Sequence, residues 1–163
     1  MTIHFRVFSD IDLSMIEVRR IEREDIPALA EIERLCFESP WSEESLEFLL
    51  QGNNVGLVAL CDGCVAAYGG LICVLDEGQI SNIATHPEYR RRGIARAIME
   101  EIDRYSLENG IVYLSLEVRE SNSPARSLYA SCGWSDAGIR KGFYSKPKEN
   151  AVVMTKALTL KGN

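Results

Sequence analysis

Arg90-Arg91-Arg92-Gly93-Ile94-Ala95 sets three cations and a glycine immediately ahead of a stretch with helical periodicity. A residue without Cβ lets the backbone approach a ligand closely, and the first N–H groups of a helix lack intrahelical acceptors and carry the positive end of its dipole. Such a segment reads as a phosphate cradle. Its spacing differs from the lysine-containing P-loop and from the three-glycine dinucleotide fingerprint, so neither nucleotide motif applies. The second position of chemical interest is Glu117, a carboxylate near the end of the apolar run Ile111-Val112-Tyr113-Leu114-Ser115-Leu116-Glu117-Val118. By the two-residue strand period it faces away from Leu114, Leu116 and Val118. Read locally, it is either a proton acceptor or a partner of Arg119 at an exposed strand end.

The surrounding elements bring both features to strand ends. Gln79-Ile80-Ser81-Asn82-Ile83-Ala84-Thr85 alternates as a strand and stops at His86-Pro87, because proline biases its predecessor toward extended geometry. Ile94, Ala97, Ile98, Ile102 and Tyr105 then recur at helical spacing until Asn109-Gly110 supplies a stop. The strand of Glu117, one helix later, is expected to run parallel to its predecessor through a right-handed crossover. Earlier in the chain the sequence predicts a strand around Met15 to Arg20 and a helix capped by Asp25 with Ile26, Leu29, Ile32, Leu35 and Cys36 on one face. A second helix, capped by Ser42, carries Leu46, Leu49 and Leu50 and ends at Gly52. Strands around Val55 to Cys61 and Cys64 to Leu75 form a hairpin about Asp62-Gly63, and Asp76-Glu77-Gly78 turns the chain into the strand ending at Thr85. Ser123 and Pro124 fit the N-cap and first position of a short helix ending near Cys132-Gly133, and closing strands fit Trp134 to about Tyr144 and Ala151 to Leu158.

The strand-to-helix joint resembles the acyl-CoA-binding segment of the GNAT superfamily of N-acetyltransferases, whose pattern is Gln or Arg, two residues, Gly, one residue, then Gly or Ala. Arg90, Gly93 and Ala95 satisfy it. The resemblance implies that backbone N–H groups of Arg91, Arg92, Gly93, Ile94, Ala95 and Arg96 hold the CoA pyrophosphate, while Ile83, Ala84 and Thr85 pair with the pantetheine arm like an added strand. It further implies an α/β (α+β) GNAT fold, a single mixed, mostly antiparallel central sheet flanked by helices, over residues 14–160, with residues 1–13 as an N-terminal extension.

Leu116-Glu117-Val118-Arg119-Glu120-Ser121-Asn122-Ser123-Pro124-Ala125, followed by Leu128-Tyr129 and Gly133-Trp134, resembles the RimI type of that superfamily. That type acetylates the N-terminal alanine of a small-subunit ribosomal protein. In it the strand glutamate is the general base, the helix tyrosine the general acid, and the asparagine between them a CoA contact; Glu117, Tyr129 and Asn122 occupy those positions. Phe37-Glu38-Ser39-Pro40-Trp41-Ser42 resembles the family's substrate-side loop, and Gly142-Phe143-Tyr144 with Glu149-Asn150-Ala151 its C-terminal signature. Relatives often carry paired tyrosines where Phe143-Tyr144 stands, and an acidic residue where Asn150 stands.

The implied chemistry has a physical rationale. An ammonium has no lone pair, so a base must remove a proton before nitrogen attacks a thioester, and the departing thiolate gains from a proton donor. A backbone N–H near Ile83 to Thr85 suits the charge that develops on the acetyl oxygen. No acetyl-enzyme is required, and Cys132, with no paired histidine motif, reads as a small thiol at a helix end. An α-amine with a pKa near about 8 keeps roughly a tenth of its molecules neutral at pH 7, far more than lysine, which favours an N-terminus over a lysine side chain. Acetylation of a lysine or small amine, and a CoA-binding module without catalysis, are the alternatives; Tyr129 by itself also reads as a core residue packing its short helix on the sheet.

At 163 residues the chain is the size of one domain. A net charge of −6 argues against nucleic-acid binding. No apolar run approaches membrane-spanning length and no secretion signal opens the chain, so a cytoplasmic protein without membrane attachment is expected. Five cysteines do not suggest a disulfide framework. Cys61-Asp62-Gly63-Cys64 lacks a second pair at ligand spacing, so no metal is expected. His86 reads as a turn residue and His4 lies outside the matched region. The expected partners are acetyl-CoA and a protein N-terminus; oligomeric state is not encoded in any recognisable pattern.

Overall fold

Val55–Cys61 and Cys64–Val74 bury nearly every side chain in succession over their middle residues, the pattern of strands covered on both faces. The computed structural model describes residues 3–6 and 15–159. In chain order its elements are β1 (Ile3–Arg6), β2 (Met15–Arg20), α1 (Ile26–Cys36), α2 (Glu43–Glu47), β3 (Val55–Cys61), β4 (Cys64–Val74), β5 (Glu77–Thr85), α3 (Ile94–Glu108), β6 (Tyr113–Arg119), α4 (Ser123–Ser131), β7 (Ser135–Ser145) and β8 (Lys148–Ala157). The strands form one sheet in the order β1-β2-β3-β4-β5-β6-β8-β7. Among the described pairings β5 and β6 alone are parallel, joined through α3 as the crossover rule requires. The mixed, mostly antiparallel sheet is therefore as expected. Ile3–Arg6, within the stretch read as an extension, pair antiparallel with β2 at the sheet edge, while the boundary between residues 13 and 14 lies outside the described residues.

Strand alternation divides the core in two. Leu57 and Ala59 join Ala97, Ile98 and Ile102 of α3 and Leu114, Leu116, Tyr129 and Trp134 in one cluster. Val58 and Tyr68 join Leu29 and Ile32 of α1 and Leu46 of α2 in the other. No helix among the described residues is long and apolar enough to cross a membrane.

Several local expectations need correction. Asp25 precedes α1 but does not cap it: its carboxylate turns back to accept from the Glu22 N–H at 2.8 Å and from the Arg19 guanidinium at 2.7 and 3.0 Å. Burial pushes the Asp25 carboxyl up, but the Arg19 guanidinium and the Glu22 N–H together hold it below its ordinary range. Leu35 lies off the buried face of α1, at 47% exposure. The turn before β5 is Leu75-Asp76, with Leu75 at φ +55°, and Val74 pairs with Glu77. Gly78 lies inside the strand, where a Cβ would stand 2.9 Å from both Leu71 and Leu114 side chains. Its smallness serves packing rather than turning. Ser123 is the first residue of α4, and the N-cap is Asn122, whose Oδ1 accepts from the Ala125 N–H at 3.3 Å. By contrast Ser42 caps α2 as expected, accepting from the Ser45 N–H, and Asp62-Gly63, both at positive φ, close the β3–β4 hairpin.

Candidate active site

Where β5 and β6 meet, pairing is confined to Glu77–Gln79 against Tyr113–Ser115. Beyond Gln79 and Ser115 the two strands run on without pairing each other, which opens the sheet at its centre. A bulge in β5 accompanies the opening. Leu71 pairs with Ile80 and Gly69 with Ile83, so β5 carries one more residue than β4 across this interval. The His86 N–H donates to the Ala66 carbonyl at 2.8 Å. By antiparallel alternation Ala84 then exchanges bonds with Tyr68, while Ile83 and Thr85 turn their N–H and C=O groups to the open side. The Thr85 carbonyl already accepts from the Cys36 thiol at 3.3 Å and from Arg90 Nε at 3.4 Å.

β5 leads into the arginine segment. Arg90 is extended, Arg91 has φ +64° and Gly93 has φ +77° at the N-cap of α3. Two left-handed residues so close together turn successive N–H groups toward one concavity, an anion-binding arrangement. The Ala97 N–H makes the first helical bond, to the Gly93 carbonyl at 3.1 Å. Among the described residues no backbone acceptor takes the N–H groups of Ile94, Ala95 or Arg96, so the helix end and its dipole are open to an anion. The arginine side chains have separate duties. Arg90 braces Thr85 and Cys36, Arg92 lies over the Tyr89 ring at 5.4 Å, and Arg96 reaches Ser131 Oγ at 2.7 Å and Cys132 Sγ at 3.5 Å on α4.

Glu117 stands on the β6 side of the opening with a largely shielded side chain, 12% exposed. Its Oε2 accepts from Gln79 Nε2 at 2.9 Å, and Arg140 Nε of β7 is 3.6 Å from Oε1. Arg119, the partner suggested by local sequence, is occupied elsewhere. It donates to the Lys146 and Pro147 carbonyls, pairs with Glu149 at 3.2 Å, and lies 4.2 Å from the centre of the Tyr144 ring. Glu149 in turn accepts from the Ser121 N–H at 2.6 Å, which with the Arg119 contact holds its carboxyl below the ordinary range. These bonds latch the β6–α4 connection, which carries Asn122, to the β7–β8 turn.

Tyr129 of α4 is buried against Trp134, ring centres 6.4 Å apart. Burial, then the neighbouring Tyr144 and Cys132, push its phenol up to about 12. Tyr144 is half-buried, and desolvation raises its phenol despite Arg119. Gln79, Arg140 and Tyr144 thus belong to the surroundings of Glu117, although sequence alone singled out only Tyr144, as part of a signature.

A buried carboxyl supports the site from behind. Glu33 of α1 is fully buried; its Oε1 accepts from the Tyr68 hydroxyl and from Asn82 Nδ2, the latter at 2.8 Å, and its Oε2 from the Trp41 N–H at 2.9 Å. Burial, then the Glu33 carboxyl, push the Tyr68 phenol far above its ordinary value. One group therefore ties α1, the segment before α2, β4 and the β5 bulge together. The helical period marked this face as buried but gave no sign of a carboxyl within it.

The model of the acetyltransferase (GNAT) family matches residues 26–134. A Bacillus subtilis (strain 168) protein named as a candidate [ribosomal protein bS18]-alanine N-acetyltransferase is 40% identical over 139 residues, covering 84% of this chain and 92% of that protein. The crystal structure of the ribosomal-protein-S18-alanine N-acetyltransferase from Escherichia coli superposes with a TM-score of 0.83 at 34% identity, covering 91% of this chain and 97% of that one. The PaiA N-acetyltransferase of Thermoplasma acidophilum, solved in complex with coenzyme A, shares the fold at a TM-score of 0.73 and 19% identity, over 87% of this chain and 98% of that one.

Proposed function

This chain belongs to the acetyltransferase (GNAT) family, and from that premise we propose that it transfers the acetyl group of acetyl-CoA to the N-terminal α-amine of a protein, the alanine of a small-subunit ribosomal protein. The carrying observation is that the unpaired side of β5 begins just past Gln79, which holds Glu117, and runs to Thr85, just ahead of the open amides at Gly93. Proton acceptor and anion cradle share one opening of the sheet. The names of the B. subtilis and E. coli relatives support the alanine acceptor, and a ribosomal acceptor supports a cytoplasmic reaction.

In this reading acetyl-CoA supplies an activated thioester carbonyl. The N–H groups of Arg91 to Arg96 bind its diphosphate, the outward main-chain groups of Ile83 and Thr85 take the pantetheine amides with Ala84 between them, and Asn122 offers its Nδ2 from the start of α4. Glu117 removes the proton that masks the amine lone pair. Tyr129, a phenol that is protonated at neutral pH and that burial raises further, is the donor for the departing thiolate. A main-chain N–H in the Ile83 to Thr85 stretch stabilises charge on the acetyl oxygen. The α-amine is the better acceptor because its deprotonation costs less than that of lysine, by about 3 kcal/mol for free groups.

The test is a peptide carrying the N-terminal sequence of bS18, with an internal lysine, followed by CoA release and mass mapping. Acetylation at the α-amine alone is expected. Acetyl on lysine with a free α-amine would overturn the acceptor assignment.

A further inference from the structure

Both carboxylate oxygens of Glu117 are engaged, and the two partners differ in kind. Gln79 is neutral, sits in the paired section of β5 opposite Ser115, and bonds at 2.9 Å. Arg140 is a cation at the longer distance of 3.6 Å, its side chain is 59% exposed, and it belongs to β7, a strand open to solvent along nearly its whole length. The β7–β8 register also breaks between Arg140 and Tyr144. An acceptor ammonium approaching Glu117 therefore finds one oxygen held by a strand-fixed amide and the other held by a loosely placed positive charge of its own sign. The guanidinium also has a contact that does not depend on Glu117, since the Phe143 ring, 47% exposed, lies 5.8 Å from Arg140 Cζ.

We propose that Arg140 is a resident counter-ion at Glu117, occupying the position of the acceptor's ammonium until an amine displaces it. The inference rests on the reading of Glu117 as the group that receives the amine. Of the other charged or titratable groups around Glu117, Arg119 is committed to Glu149 and the Lys146 and Pro147 carbonyls. Tyr144 stands beside it from β7, and the residue paired opposite it on β8 is the apolar Val153. Arg140 is thus the displaceable cation. Its role is discrimination: the acceptor must bind Glu117 better than the arginine does, which favours an ammonium presented with additional peptide contacts over a free small amine.

The experiment compares the parent protein with Arg140→Gln and Arg140→Lys on an alanine-starting peptide. For a partly exposed ion pair, loss of the competing charge is expected to lower the peptide KM by about two- to fivefold. The KM for acetyl-CoA and the melting temperature should stay put, kcat should change less than the peptide KM, and Arg140→Lys should restore the parent KM. Guanidinium ion at low concentration should compete with peptide in Arg140→Gln more strongly than in the parent. A peptide KM that rises or does not move in Arg140→Gln overturns the inference. Glu117→Gln, measured in parallel, separates the two failures. Full turnover in that variant sinks the catalytic reading and this inference with it, whereas lost turnover beside an unmoved Arg140→Gln KM sinks this inference alone.

Discussion

Replacing Glu33 by alanine tests how the structure ties α1 and the Trp41 segment to the sheet. The carboxyl takes hydrogen bonds from the Tyr68 hydroxyl, Asn82 Nδ2 and the Trp41 N–H. In Glu33→Ala, Asn82 keeps a partner because its Nδ2 also lies 3.1 Å from the Tyr68 oxygen. The Tyr68 hydroxyl, on a residue with no solvent exposure, loses its acceptor, and the Trp41 N–H, on a half-buried residue, is only partly rehydrated. An unsatisfied buried donor costs about 1–3 kcal/mol. Charging Tyr68 in full and Trp41 in part gives a loss of about 2–4 kcal/mol, a large share of a typical stability of about 5–15 kcal/mol. In urea, with a slope near about 2 kcal/mol per molar, the midpoint should fall by about 1–2 M at unchanged slope. Glu33→Gln keeps one acceptor oxygen and should lose about half as much. Trp41 and Trp134 are the two tryptophans, so fluorescence reports both the unfolding and the segment that Glu33 tethers. Midpoints of both variants indistinguishable from the parent's would refute the claim that this network carries stability.

Two further outcomes follow from the site. Tyr129 has a folded-state phenol near about 12 against 10.0 for an ordinary tyrosine, so its contribution to stability is complete below pH 10 and is lost as pH rises toward 12. Between about pH 9 and 11.5 the parent should lose about 2 kcal/mol more than Tyr129→Phe in urea titrations, and equal losses would show that the phenol is not buried in this way. Gly93→Ala places a side chain at φ +77°, where an L-residue costs about 1–2 kcal/mol. If that strain is relieved by distorting the cradle, the Kd for CoA measured by calorimetry rises about 5- to 30-fold, while unchanged affinity would remove Gly93 from the anion site.

What could be read from the chain beforehand was local. Gly93 at the start of a long periodic helix, Asp62-Gly63 between apolar runs and Ser42 ahead of a leucine pattern each act through neighbours within a few positions: Gly93 leads into α3 at positive φ, Asp62-Gly63 turn the hairpin and Ser42 caps α2. Gly78 misled because its neighbours suggested a turn, whereas its reason is contact with Leu114, far along the chain. Asp25 misled similarly: a capping residue type was drawn away by Arg19 and the Glu22 N–H. Strand period and motif single out Glu117 as a candidate, but its partners Gln79 and Arg140 come from other strands and leave no spacing to detect. Glu33 was hidden for a different reason, since helical period identifies a buried face without saying that three donors wait there to satisfy a carboxyl.

The most direct measurement is single-turnover acetyl transfer by Glu117→Gln preloaded with acetyl-CoA, using an alanine-starting peptide, beside calorimetry of acetyl-CoA binding. Loss of a positioned proton acceptor should slow transfer by about a hundred- to ten-thousandfold while acetyl-CoA binds as in the parent. Transfer at the parental rate, or a loss explained entirely by failed acetyl-CoA binding, would contradict the assignment of Glu117 as the base of an acetyltransferase.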